Sequence, residues 1–312
     1  MKMRMNKWLV VLCCVALLVT VVSAGPSGPL LTGGNLVWSD EFDGAELDLT
    51  KWNIETGTGG QYGLNGWGNE EKQFYKPDNI YVQDGVLVIE ARKDNDEKNG
   101  GKNFPYTSGK ITTGGIMNHD GTIKGQKFAL KPGQRIEARI KSPRGKGLWP
   151  AFWLIGVTTN AYGDAKKALG WPRCGEIDIL EIKGGRENIL LSTIHYGPPW
   201  PDNRAWGDQI ELDVNLADDY HIYGVVWNKN ELHFMLDEKS WLKVPLAQLQ
   251  KDFGKRAYIT EAFTAKTGFV AQINFAVGGA FIGHAIPADS IFDASAPLED
   301  RQYKIDWVRV YQ

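Results

Sequence analysis

Cysteine is almost absent from this chain. There are three in 312 residues, and two of them, Cys13 and Cys14, sit in an apolar N-terminal run. Only Cys174 lies beyond it, so the rest of the chain can form no internal disulfide. A chain of this length can bury a core large enough to do without one. No Asn-x-Ser/Thr triplet occurs, which excludes N-glycosylation. An excess of charge is lacking as well. The formal net charge is -2, which leaves no electrostatic footprint for nucleic acid. Helical periodicity is scarce, and its best stretch, Pro245 to Phe253, is short. Internal repeats, low-complexity blocks and a linker to a second domain are absent.

What is present begins with a basic N-terminus. Lys2, Arg4 and Lys7 flank or precede an apolar run from Trp8 to Val22, and Val22-Ser23-Ala24 offers small residues for cleavage. This predicts a signal peptide over residues 1–24 that leaves with Cys13 and Cys14. The run is short for a bilayer span, and Leu12 and Cys13 are not the small residues that usually precede a lipidated cysteine. The mature chain is therefore expected to be secreted, extracellular or periplasmic, free of the membrane and monomeric. Residues 25–34 read as a short Gly/Pro/Ser-rich linker, and residues 35–312 as one domain. Short β-rich runs follow one another there: LVWSDEF, NIYVQDGVLVIEAR, QRIEARIK, GLWPAFWLIG, CGEIDILEIK, ILLSTIHYG, YHIYGVVWNKNELHFMLD, FVAQINFAVGG and YKIDWVRVYQ. Asp84-Gly85 marks a hairpin, and Asn228-Lys229-Asn230 a turn. The expected fold class is all-β, a sandwich of antiparallel sheets. DNDEKNGGKN (94–103) reads as a solvated loop.

The stretch GEIDILE, Gly175 to Glu181, places three acids in six residues. Like charges on one strand face repel, so such a row costs stability unless something uses it. Glu176 and Asp178 share a face, whereas Glu181 is five residues from Glu176 and would point the other way on an ideal strand. A β-bulge near Ile179-Leu180 would repair the phase. Two carboxylates flanking a scissile bond are the usual equipment of glycoside hydrolysis, about 5–5.5 Å apart in the retaining mechanism. Taken alone, the acids also fit a solvated outer face or a cation site such as Ca²⁺. The 12 Trp, 11 Tyr and 12 Phe suit either a packed core or a groove that stacks on sugar rings.

The order of motifs narrows this. GLWPAFWLIG followed by WPRCGEIDILE, with WSDEFDG, NGWGNEEKQFY, HYGPPW, INFAVGG and IDWVRVYQ around it, resembles glycoside hydrolase family 16, in its endo-β-1,3-glucanase (laminarinase) branch. The resemblance covers nearly all of the mature chain. It implies a β-jelly roll of two curved antiparallel sheets with a concave substrate cleft. By position it makes Glu176 the nucleophile, Glu181 the acid/base and Asp178 the assisting acid. The long form of the acid motif also fits agarases and carrageenases, whereas the short form belongs to lichenases. Trp149, Trp153 and Trp171 would stack on glucose rings; Asn69, Arg173, His195, Gln272 and Asn274 would contact sugar hydroxyls. Lys110 stands where many relatives carry Arg, and the Trp often found shortly after the glycines of FAVGG is missing. Cys174 reads as a small buried apolar residue. No cofactor is expected for catalysis. A structural Ca²⁺ is implied on the convex face, from Glu41, the Gly85 carbonyl and Asp306. The expected partner is a β-glucan, of laminarin type or mixed β-1,3-1,4 linkage. A glucan-recognition protein without activity, and a transglycosylase or agarase using the same acids, are the competing readings. The segment between Ile155 and Gly170 is expected to wall one end of the cleft.

Overall fold

The computed structural model describes residues 22–23, 32–94, 96–120, 122–157, 169–251, 262–263 and 268–312. Most of the expected signal segment and linker, and residues 158–168 of the expected cleft wall, lie outside these.

Two eight-stranded sheets form the body of the molecule, with a two-stranded and a three-stranded sheet beside them. One runs, in spatial order, Val22–Ser23, Arg204–Glu211, Ile189–Tyr196, Glu176–Glu181, Leu148–Gly156, Phe269–Val277, Lys110–Thr112 and Asn53–Ile54. The other runs Lys239–Pro245, Glu231–Leu236, His221–Trp227, Gln134–Lys141, Gln302–Tyr311, Val86–Glu90 and Ile80–Gln83, with Leu36–Asp40 also paired to Gln302–Tyr311. Within these two sheets pairing is antiparallel, apart from the parallel Val22–Ser23 edge. This is the all-β sandwich that the strand spacing predicts. Both turns read from the sequence are present. Asp84 and Gly85 adopt φ of 54° and 74° between the paired strands Ile80–Gln83 and Val86–Glu90, the left-handed pair that suits the twist of a hairpin. Strands His221–Trp227 and Glu231–Leu236 pair across Asn228–Asn230. A helix, Leu246–Lys251, begins where helical pattern was found.

The two sheets share one core. Phe152, Leu154, Ile177, Leu180, Ile273 and Phe275 of the first sheet belong to the same buried cluster as Ile136, Ala138, Tyr223, Val225 and Val308 of the second. Alternation along each strand therefore leaves the opposite residues of the first sheet, Ala151, Trp153, Gln272 and Asn274 among them, on its outer face. The tryptophans divide between the two settings: Trp52 and Trp227 are fully buried in the core, and Trp149, Trp153 and Trp171 surround the acids.

Candidate active site

The acid strand is irregular where the phase argument requires it. Against Leu148–Gly156, Glu176 faces Ile155, Asp178 faces Trp153 and Glu181 faces Ala151. Against Ile189–Tyr196, the same three face His195, Thr193 and Leu191. Each set of partners is spaced by two, so all three acids share one sheet face, and the register breaks between Asp178 and Glu181. Ile179 and Leu180, the residues across the break, are both buried in the core. The bulge leaves a ladder carbonyl to satisfy, and Ser192 Oγ donates to Ile179 O at 2.7 Å. Ser192 carries no chemistry of its own, and nothing in the sequence marks it. Ahead of the strand, Gly175 takes φ +81°, and a Cβ there would come within 2.8 Å of Ala262 Cβ and 2.9 Å of Phe269 Cζ. Only glycine fits that lead-in. Cys174 beside it is fully buried, as expected of a small apolar residue.

Each outer acid has an indole. Trp171 Nε1 donates to Glu176 Oε2 at 3.2 Å, and Trp149 Nε1 donates to Glu181 Oε1 at 3.1 Å. Trp149 stacks on Phe281 at 4.7 Å; Phe281 lies shortly after the glycines of FAVGG, where the sequence lacks a Trp. His195 Nε2 lies 3.4 Å from Asp178 Oδ2 and 3.9 Å from Glu176 Oε1. Among the described residues no lysine or arginine nitrogen comes within 4.0 Å of these three acids.

The electrostatics follow from that isolation. Burial pushes Glu176 up to about 7, with the Trp171 hydrogen bond and Lys110 pulling the other way. Burial, then the charge of Glu176, pushes Glu181 up to about 8. Asp178 is driven well above the usual aspartate range by burial and by both neighbours, and its Oδ2 has no hydrogen-bond partner. Burial lowers His195 to about 4, so it is a neutral imidazole at pH 7. Two carboxyl groups of unequal proton affinity can divide the roles of acid and nucleophile. Glu176, Asp178 and His195 also offer ligand atoms within 4.8 Å of one another, a donor set that suits a transition metal.

The other expected residues are placed around this row. Trp153 Nε1 donates to Asn274 Oδ1 at 2.7 Å, and Asn274 Nδ2 to Tyr75 Oη at 3.0 Å. Tyr75 donates in turn to Glu71, which also accepts from Gln73 and from Asn69 Nδ2 at 3.3 Å. Gln272 donates to Thr112 Oγ1 at 2.6 Å. Asn274 and Gln272 are thus buried members of the sheet's polar network, while Asn69 is exposed at its edge. Arg173 is half-buried just before the acid strand. Glu71 and Tyr75, unremarked in the sequence, complete the network, and the Trp67 ring packs on that of Tyr75 at 5.4 Å; their signal was NGWGNEEKQFY, quoted only as a motif.

The expected calcium positions are in the second sheet. Asp40, before Glu41, pairs with Val308, and Leu87, two residues after Gly85, pairs with Ile305. Glu41 and Gly85 therefore flank the stretch of Gln302–Tyr311 that carries Asp306. Two carboxylates and a carbonyl suit a hard cation. Each carboxylate also has an arginine: Arg309 makes a fork to Glu41 at 3.0 and 2.7 Å, and Arg139 reaches Asp306 at 2.6 Å.

Comparison with known proteins gives the family. A family profile described as "Beta-porphyranase A-D, GH16 domain" matches residues 35–312. The chain belongs to glycoside hydrolase family 16. It is 36% identical over 305 residues to glucan endo-1,3-beta-glucosidase A1 of Niallia circulans, across 92% of this chain but 39% of that protein. It is 34% identical over 255 residues to a glucan endo-1,3-beta-glucosidase of Cryptopygus antarcticus, covering 80% of this chain and 82% of the other. The crystal structure of an endo-beta-1,3-glucanase from Pyrococcus furiosus superposes with a TM-score of 0.70 at 34% identity, over 92% of this chain and 98% of that one. This family-16 chain is thus a glycoside hydrolase with a jelly-roll fold.

Proposed function

We propose that the chain is a secreted, retaining endo-hydrolase of β-1,3-glucosidic bonds in laminarin-type glucans, with mixed β-1,3-1,4-glucan as a secondary substrate. The observation that carries this is the bulged acid strand: Glu176, Asp178 and Glu181 share one face, with indole donors on the two outer acids. Glu176, the more acidic of the two glutamates, attacks the anomeric carbon as the carboxylate. Glu181, which keeps its proton to a higher pH, gives that proton to the leaving oxygen. In the second step Glu181 takes a proton from water, and the oxygen of that water displaces Glu176 from the sugar. Asp178 keeps its proton beside Glu176 and steadies the Glu176 carboxylate by a hydrogen bond when Glu176 is charged. Trp149, Trp153 and Trp171 offer ring faces to glucose, and Asn69, Arg173, His195, Gln272 and Asn274 border the same cleft. Glu41, the Gly85 carbonyl and Asp306 would hold a structural Ca²⁺, which would brace the second sheet away from the chemistry.

Reducing-end release from laminarin, with lichenan, agarose and porphyran in parallel, tests the reading. Release from laminarin supports it. The porphyranase description of the matching profile favours a galactan as the second reading, and release from agarose or porphyran alone would replace the glucan while keeping the acid roles. Laminarin bound but uncut would point to a recognition protein.

A further inference from the structure

Two carboxyl groups and an imidazole meet on the outer face of the first sheet. Glu176 and His195 lie opposite one another on adjacent strands, and Asp178 follows Glu176 by two residues. His195 Nε2 is 3.4 Å from Asp178 Oδ2 and 3.9 Å from Glu176 Oε1, and the three ligand atoms all fall within 4.8 Å of one another. A small dication that bonds nitrogen and oxygen at about 2.0–2.2 Å holds its donors roughly 3–4 Å apart, so side-chain movement of about an ångström would close the triangle around one. A second observation points into it. Asp178 is 5% exposed, and Oδ2, the oxygen that faces His195, has no hydrogen-bond partner. A buried acceptor left unanswered is unusual and costly. Glu176 divides its two oxygens: Oε2 accepts from Trp171 Nε1 at 3.2 Å, which fixes the carboxyl, and Oε1 faces His195. The side chains of His195 and Glu176 keep 26% and 15% of their surface open, so an ion can enter from the cleft.

The donor set selects the ion. Ca²⁺ takes about six to eight oxygens. Three donors, one of them a nitrogen, suit a borderline transition metal with an open position left for water. Burial favours the protonated forms of Glu176 and Asp178, so the ion binds by displacing those protons, which leave to solvent. We propose that Glu176, Asp178 and His195 form a binding site for a transition-metal dication of the Zn²⁺ class, and that the bound ion shuts the enzyme off by engaging the carboxylate that would attack the sugar. The site stands on its geometry; its effect on activity rests on the reading of Glu176 as nucleophile given above.

The test uses the full chain in excess Ca²⁺, so that any all-oxygen site is filled first. Zn²⁺ binding is measured by titration calorimetry, and Co²⁺ replaces it as a probe whose visible absorption reports nitrogen and oxygen ligation. The wild type should bind a single Zn²⁺, and laminarin oligosaccharides should compete with it. His195→Gln and Asp178→Asn should each weaken Zn²⁺ by about 100-fold or more, because losing even a hydrogen-bond partner of a metal ligand costs about 10–100-fold, and both should lose the Co²⁺ bands. If one variant does not fold by circular dichroism, the other decides. His284→Gln, which removes an exposed imidazole beside Glu70, should leave both readouts unchanged. Laminarin hydrolysis by the wild type should fall as Zn²⁺ is added and return with a chelator and fresh Ca²⁺. Zn²⁺ binding that is absent, that survives both substitutions, or that leaves hydrolysis undiminished overturns the inference. A chain that binds Zn²⁺ at these residues yet cuts no laminarin when metal-free overturns the glucanase reading instead, and the metal site stands.

Discussion

Acids on the two sheets of this molecule live under opposite rules. In the second sheet, carboxylates are matched with cations: Glu41 with Arg309, Asp306 with Arg139, Glu90 with Arg92 and Glu137 with Arg135. Where the guanidinium dominates, as at Glu41, the carboxyl is held below its usual range. In the first sheet, Glu176, Asp178 and Glu181 have indoles and an imidazole near them, and all three are pushed upward. A carboxylate held down by arginine, as Glu41 is, is finished chemically: it cannot give up a proton near pH 7 because it does not hold one, whereas at Glu137 burial outweighs Arg135 and the carboxyl is raised. An unpaired buried carboxyl costs stability and gains reactivity in exchange. The difference marks the working face of the sandwich without reference to any substrate.

Breaking the unpaired side should have the largest effect. Glu176→Gln is expected to abolish nearly all laminarin hydrolysis while leaving the circular dichroism spectrum and laminarin retention in native gels intact. Near-normal rates in this variant would sink its assignment as nucleophile. Glu181→Gln should cost about 10²–10⁴-fold in kcat on unactivated substrate, with less loss on an aryl glucoside whose leaving group needs no proton. The same substitution should move stability with a definite sign. Burial raises Glu181 from the ordinary 4.5 to about 8, so the folded chain binds more protons than the unfolded one between those values. Wild-type stability therefore falls as pH rises through that window. The glutamine variant should melt at a higher temperature than wild type at pH 8, and the two should converge near pH 4; a constant gap would show that Glu181 is not protonated in the fold.

Smaller effects sharpen the comparison. The wild-type kcat/KM should rise through about 7, as Glu176 ionises, and fall through about 8, as Glu181 loses its proton. Trp149→Phe keeps the ring but removes the donor that lowers Glu181, so the alkaline limb alone should shift upward. On the paired side, Arg309→Met should cost about 1 kcal/mol or less, given the exposure of both partners to solvent, and should leave the pH profile unmoved. A changed profile there would mean that the two sheets are coupled through more than their shared core.

Much of this was legible in the residues. Period-two alternation and turn chemistry gave the sandwich and both turns, because those signals are local. The odd spacing from Glu176 to Glu181 required a bulge, because side-chain parity along a strand leaves no other way to bring both acids to one face. Trp171 was expected as a stacking surface, and in the structure it also donates to Glu176. Gln272 and Asn274 were expected at the sugar, and they are partnered within the sheet. A hydrogen-bond partner far away in the chain leaves no trace in a single sequence: Asn274 and Tyr75 are 199 residues apart.

The sequence by itself determined which groups could do chemistry, since residue type sets the available protons and strand parity sets the face. It also determined the all-β class and the location of the irregular strand. The tertiary structure decided which acids would be answered by a cation and which would be left buried without one. That choice depends on strand order, on Ser192 closing the bulge and on the indoles converging from separate strands and loops. The free energy of a charge is fixed by everything packed within a few ångströms of it, and that neighbourhood exists only once distant segments have met.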